Sequence, residues 1–152
     1  MFKILVGTDG SEPAKLAVDW AVDMADDKGA ELILLAVIPP LPTLVSEDLS
    51  LEYYPRLDED MEKYYGKMLN DSIKEIKGSH PKLKVSHLLK RGQPGQEIVE
   101  AAKQTNADLI VVGNRGTGGI LTWMLGSTSR HVVDACTVPV VVVKDKKYCE
   151  TQ

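Results

Sequence analysis

The sequence predicts an α/β fold: a single-domain, open, parallel five-stranded sheet in the order 3-2-1-4-5, with helices on both faces. Five short apolar runs rich in β-branched residues alternate with segments of helical period. A strand–helix–strand rhythm of this kind gives parallel strands joined by right-handed crossovers. The first and fourth runs are almost wholly apolar, as strands covered on both faces must be. The third carries Lys84, Ser86 and His87, polar positions that suit an edge.

The first strand is "FKILVGT", Phe2 to Thr8. The helix after it repeats apolar positions at Ala14, Ala17/Val18, Ala21 and Met24/Ala25, with Pro13 in its first turn and Gly29 as its C-cap. "ELILLAVI", Glu31 to Ile38, is the second strand. The prolines and length of the next stretch, Pro39 to Arg56, predict a surface loop, either a mobile flap or a variable connection. A second helix, Leu57 to Ile76, places Met61, Tyr64/Tyr65, Met68 and Ile73/Ile76 on one face. The third strand follows over Leu83 to Gly92, and a short helix then starts at Pro94 in "PGQEIVEAAKQTN". "ADLIVVG", Ala107 to Gly113, is the fourth strand, Ser127 to Cys136 the fourth helix, and "VPVVVVK", Val138 to Lys144, the fifth strand. No linker, repeat or low-complexity segment divides residues 1–152, which reads as one domain.

The composition narrows the function. Hydrophobic residues make up 43% and charged residues 26%, a globular balance. Eighteen basic against twenty-two acidic residues give a net charge of −4, which argues against a general binder of nucleic acid or anionic membrane. No apolar run is long enough to span a bilayer, and "MFKILVGTDG" lacks the design of a signal peptide. Cys136 and Cys149 form no CxxC and no cluster with His80, His87 or His131, so they read as a buried small residue and a tail thiol. The expectation is a cytoplasmic protein with no metal ligands of its own.

Placing strands one and four side by side puts the topological switch point of this Rossmann-like sheet between them. Ligands of such sheets bind there, beyond the carboxyl ends of the strands. The loop after strand one is "GTDGSEP", a short turn through Gly7, Thr8, Asp9 and Gly10. Asp9 there either caps the first helix or serves a ligand, bonding ribose hydroxyls or adenine or holding a phosphate-bound Mg²⁺. After strand four the chain reads "VVGNRGTGGILTWMLGSTSRHVV". It contains neither GxGxxG nor a Walker lysine motif. It does contain Gly113-x-x-Gly116, nine residues, and then Gly126-Ser127. The first pair allows a tight turn with exposed amides. Gly126 and Ser127 open the last helix, whose unpaired N–H groups and dipole attract an anion. Thr128 and Ser129 add hydroxyls, and Arg115 is the cation of the loop, set either on phosphate or ribose or in solvent.

With these motifs on the page, the chain resembles the universal stress protein family over nearly its whole length. The ATP-binding type of that family carries G-x2-G-x9-G-[S/T], matched here at Gly113, Gly116, Gly126 and Ser127; "KILVGTDGS", "RGQPGQEIVEAA", "ADLIVVGNRG" and "VPVVVVK" are similar to the family as well. The resemblance implies that Gly7, Thr8 and Asp9 flank the adenosine and that Val37 bonds adenine through its backbone. It implies too that Val112, Gly113, Arg115 and Gly116 line the ribose and α-phosphate. Gly126, Ser127, Thr128 and Ser129 would hold the triphosphate, with Mg²⁺ or Mn²⁺ carried mainly by the phosphates. Trp123 departs from the pattern inside the nine-residue spacer, where its bulk either covers the site or packs, and packing is the favoured reading.

The function expected is an ATP-binding, nucleotide-dependent regulatory or stress-response module rather than an enzyme; the alternative is a slow ATPase or phosphotransferase using the same site. No base poised for water stands out, since His131 lies a turn into the last helix. Nothing signals a flavin. The fifth strand comes last in the predicted order, so Val138 to Val143 form an uncharged edge of the kind that proteins cover. A homodimer through that strand is expected, and the family resemblance implies the same.

Overall fold

The computed structural model describes residues 1–40, 47–114, 125–136 and 138–145, with side chains outside 47–56. In chain order the elements are β1 (Lys3–Gly7), α1 (Glu12–Lys28), β2 (Glu31–Ile38), α2 (Glu47–Ser79), β3 (Val85–Arg91), α3 (Pro94–Thr105), β4 (Leu109–Gly113), α4 (Ser127–Ala135) and β5 (Val140–Val143). The strands form one parallel sheet ordered β3-β2-β1-β4-β5, as the sequence predicts.

β1 lies at the centre because its side chains require cover on both faces. Ile4, Leu5 and Val6 are all fully buried. Alternation along the strands then sorts the interior into two layers. Ile4, Val6, Leu32, Leu34 and Val111 face α1 and α2, where Ala17, Ala21 and Leu69 meet them. Leu5, Ile33, Leu35, Ile110 and Val112 face α3 and α4, against Ile98 and Val132. Each face of the sheet is thereby closed by one pair of helices.

α1 begins where the sequence supplies a start signal. The Ser11 hydroxyl accepts a hydrogen bond from the Ala14 amide at 3.3 Å, Pro13 occupies the first turn, and Gly29 ends the helix in the left-handed region at φ 62°. The fifth strand is shorter than expected at its start. Pro139 has no N–H to give, yet its carbonyl accepts from the Ile110 amide at 3.0 Å, so pairing enters the ladder there through an acceptor alone.

α2 corrects the reading of Pro39 to Arg56 as a loop. Residues 47–56 are helical and continuous with the predicted second helix, and Pro55 lies inside it. A proline in a helix removes one donor and costs about 3 kcal/mol, which bends or weakens the helix without forbidding it when strong helix formers flank it. Residues 41–46 of that stretch lie outside the described residues. Arg91, at the end of β3, ties this half of α2 down: its guanidinium bonds Asp58 and reaches Glu62 at 2.8 Å. Both pairs are solvent-exposed, so each contributes about 0–1 kcal/mol. The helix is anchored instead by Leu69, which is completely buried against the sheet.

Leu69 and Leu57 of α2 therefore differ in what they hold. Leu69→Ala is expected to destabilise the protein by about 2–5 kcal/mol in urea denaturation. Leu57→Ala, at a position 48% exposed, is expected to shift stability by no more than about 0.5 kcal/mol.

Candidate functional site

The carboxyl ends of β1, β2 and β4 and the start of α4 converge at the switch point. β1 pairs with β2 as far as Gly7 opposite Leu35, and with β4 as far as Val6 opposite Val111. Beyond those pairs β1 turns away through Thr8, Asp9 and Gly10 into α1. The Thr8 amide still donates to the Leu35 carbonyl at 2.8 Å. Backbone groups of every second residue of a strand point to the same neighbour, so the N–H and C=O of Val37 lie on the β1 side of β2, past the end of β1. β2 itself runs on to Ile38, paired there with Arg91 of β3. The result is a backbone edge at Val37 that opens into the crevice, while its side chain is buried in the layer beneath.

The β1–α1 turn is braced by its own polar side chains. Asp9 Oδ1 accepts from the Ser11 amide at 2.9 Å, and Thr8 Oγ1 accepts from the Gly10 amide at 3.3 Å. Gly10 adopts φ +81°, a conformation that favours glycine. The helix cap belongs to Ser11, and Asp9 shapes the turn that presents it. One neighbour of this turn goes unread in the sequence. Tyr65 of α2, assigned to an apolar face by period alone, is half-buried beside Asp9; burial first, and then the Asp9 carboxylate and Tyr64, push its phenol above the usual range.

At the end of β4 the contacts are closer. A Cβ on Gly113 would stand 2.9 Å from the Pro13 carbonyl oxygen, so the first turn of α1 packs directly on the strand there. Packing alone accounts for this glycine. The Gly113 carbonyl accepts from Ser129 Oγ at 2.5 Å. Asn114 then donates its amide to the Val143 carbonyl at 3.0 Å and accepts from the Gly126 amide at 2.9 Å. Its side chain is only 7% exposed, and Oδ1 has no hydrogen-bond partner among the described residues. The sequence signal for Asn114 is a polar residue at the tip of an apolar strand.

These bonds fix the start of α4. Gly126 is its N-cap at φ −67° and ψ 164°, with no side-chain hydrogen bond to the first turn and no acidic residue in that turn. Its first intrahelical bond runs from the Arg130 amide to the Gly126 carbonyl at 3.0 Å. The amides of Ser127, Thr128 and Ser129 precede it and form the positive end of the helix. Ser127 is exposed, Thr128 partly so, and Ser129 buried with its hydroxyl turned to β4. Ser129 thus braces the helix against the strand through its hydroxyl.

Of the residues singled out in the sequence, Gly7, Thr8, Asp9, Val37, Val112, Gly113, Gly126, Ser127, Thr128 and Ser129 fall within this one region. Arg115, Gly116 and Trp123 lie outside the described residues. His131 packs toward α3: a Cβ on Gly95 would meet it at 2.9 Å. Among the described residues no helix is long and apolar enough to cross a membrane, and no group of three or more His, Cys, Asp or Glu is placed to hold a metal ion.

Comparison with known proteins agrees with this fold. Residues 1–144 match the model of the universal stress protein family. The chain is 34% identical over 146 residues to universal stress protein YxiE of Bacillus subtilis, covering 93% of this chain and 98% of that one. Among solved structures, universal stress protein UspA of Lactobacillus plantarum superposes with a TM-score of 0.79 at 28% identity, over 93% of this chain and 97% of the other. A universal stress protein in complex with cAMP superposes with a TM-score of 0.67 at 26% identity, over 94% and 96% of the two chains. With a family match across almost all of the chain, and a sheet whose switch point opens where the sequence places its glycines, the chain belongs to the universal stress protein family.

Proposed function

We propose that the protein is an adenine-nucleotide-binding regulatory module, one cytoplasmic domain over residues 1–152, that takes ATP with Mg²⁺ or Mn²⁺ at the switch point. The observation that carries this reading is the start of α4. Its first-turn amides have no side-chain cap, and the Gly126–Asn114 bond holds them at the tip of β4. A helix N-terminus of this kind favours phosphate, and a strand edge offering one donor and one acceptor suits an adenine ring. The net charge of −4 fits a site that neutralises an anion locally, through amides. A related protein, 26% identical, is described in complex with cAMP, an adenine nucleotide.

On this reading Gly7, Thr8 and Asp9 flank the adenosine, with Val37 on adenine and Val112, Gly113, Arg115 and Gly116 along the ribose and α-phosphate. Gly126, Ser127, Thr128 and the Ser129 amide receive the phosphates. The divalent cation rides on the phosphates and supplies charge neutralisation there. The nucleotide state would then be relayed through α4 to β5, which Asn114 joins to the same strand end.

β5 is the natural partner surface. It is an edge strand of four valines, all half-exposed, and proteins normally cover such an edge. Antiparallel pairing of Val138 to Val143 with a second copy about a two-fold axis covers it, and this is the oligomer the family resemblance implies.

Two outcomes test the proposal. Calorimetry is expected to show ATP–Mg²⁺ binding in preference to pyrimidine nucleotides, weakened by at least about tenfold, or 1.4 kcal/mol, in Gly126→Val. The Gly126 backbone angles are open to valine, so the variant should fold, and unchanged affinity in the folded variant would refute the site. Sedimentation is expected to report a dimer for the wild-type chain and a monomer for Val141→Lys. A monomeric wild type at micromolar concentration would refute the dimer without touching the nucleotide site.

A further inference from the structure

Helix α1 has two flanks. One faces α2 across a groove that Lys15, Val18, Asp19 and Val22 line from its side. The opposite flank, turned toward the β5 edge of the sheet, carries Leu16, Trp20 and Met24. Residues spaced in this way stand one above another along a helix. Leu16 is 38% exposed, and Trp20 and Met24 are half-buried. Trp20 and Met24 join one apolar cluster with Val141 and Val143, the β5 valines on the α1 face. Stripe and edge strand therefore form one continuous, partly exposed apolar surface.

That surface makes up a shortfall in the dimer proposed above. An edge from Val138 to Val143 is about 20 Å long and the sheet about 10 Å thick, so strand pairing alone covers about 200 Å² per copy. Stable interfaces cover about 800 Å² per partner. The remainder has to come from the helices that flank β5. On the other face, α4 turns His131 toward Gly95 of α3, which leaves Arg130, Val133 and Asp134 on the side of the edge. That flank offers one exposed valine between two charges. The flank of α1 is the apolar one.

The register of α1 on the sheet fixes what the stripe meets. Antiparallel pairing about a two-fold axis normal to the sheet keeps both copies of α1 on one face. The Pro13 carbonyl marks the level of Gly113, which pairs with Val143. From Pro13 to Trp20 the helix descends about 10 Å, and from Val143 back to Val140 the strand descends about as far. Trp20 thus stands level with Val140 and Val141, the midpoint of the edge, through which the axis passes. Leu16 then comes level with Met24 of the partner subunit, and Glu12 with the partner's Lys28, an opposite charge. Because α1 sits over β1 and β4, the two helices stand apart and leave a trough floored by Val141 and Val143 of both copies. The largest side chain of the stripe lies at the centre of that trough. We propose that the α1 stripe is a second part of the dimer interface, anchored by Trp20 against Trp20 of the partner subunit across the two-fold axis. The inference rests on the β5 dimer and adds a surface to it.

Sedimentation equilibrium of the full chain measures the dimer dissociation constant. Trp20→Ala and Leu16→Lys are each expected to raise it at least about tenfold, and Trp20→Phe, which keeps an aromatic anchor, to stay within about threefold of wild type. Leu57→Lys makes the same change at an exposed leucine of α2 and should stay within about twofold. Leu16 is exposed in the single chain, so its variant answers the question even if Trp20→Ala folds poorly. In a Trp123→Phe background, the Trp20 emission should move to longer wavelength as dilution separates the dimer. Unchanged dissociation constants in Trp20→Ala and Leu16→Lys, beside a monomeric Val141→Lys, would overturn the stripe and leave the β5 dimer standing. Equal loss in Leu57→Lys, a greater loss in Val133→Lys than in Leu16→Lys, or Trp20 emission indifferent to dilution would overturn it too. A monomeric wild type would overturn both.

Discussion

Gly113 and Asn114, at the tip of β4, are tied to three other elements of the chain. Gly113 lets the Pro13 carbonyl approach to a distance that a Cβ would deny, and its own carbonyl takes the Ser129 hydroxyl. Asn114 bonds Val143 of β5 and Gly126 at the head of α4. Helix α1, helix α4, strand β5 and the crevice between them all take their positions from these two residues. Close packing transmits small displacements instead of absorbing them, so a shift at the α4 N-terminus reaches β5 through one residue. On the proposed reading, this is the joint through which a phosphate bound at α4 would be reported at the edge strand.

Much of the architecture was legible because burial on two faces leaves a plain mark on a strand. The unbroken apolar runs of β1 and β4 place them in the interior, and Lys84, Ser86 and His87 place β3 outside, which together fix the order β3-β2-β1-β4-β5. Given that order, the switch point follows, and the loops worth inspecting follow from it. What was illegible had local causes. Pro39, Pro40, Pro42 and Pro55 read as loop signals, yet residues 47–56 are helical; a single-residue propensity is a weak prior against the helical context that continues after it.

The site was legible as a place more than as a set of roles. Gly113 looks like a ligand glycine in the sequence, and the packing of Pro13 supplies a sufficient reason for it without any ligand. Ser129 looks like a phosphate hydroxyl, and that hydroxyl is spent on Gly113. Tyr65 was hidden because a helical period records which face is buried and not which loop that face meets; its neighbour Asp9 lies 56 positions away, 65 − 9, in the chain.

The central claim is that the open backbone edge at Val37 and the uncapped first turn of α4 form one adenine-nucleotide site. Amide chemical-shift mapping of the full chain with ATP–Mg²⁺ tests it most directly. The account predicts the largest shifts at Gly7, Thr8, Asp9, Val37, Gly113 and Ser127 to Ser129, saturating together with a single dissociation constant. Saturable shifts confined to other surfaces, with Val37 and Ser127 to Ser129 unmoved, would contradict it.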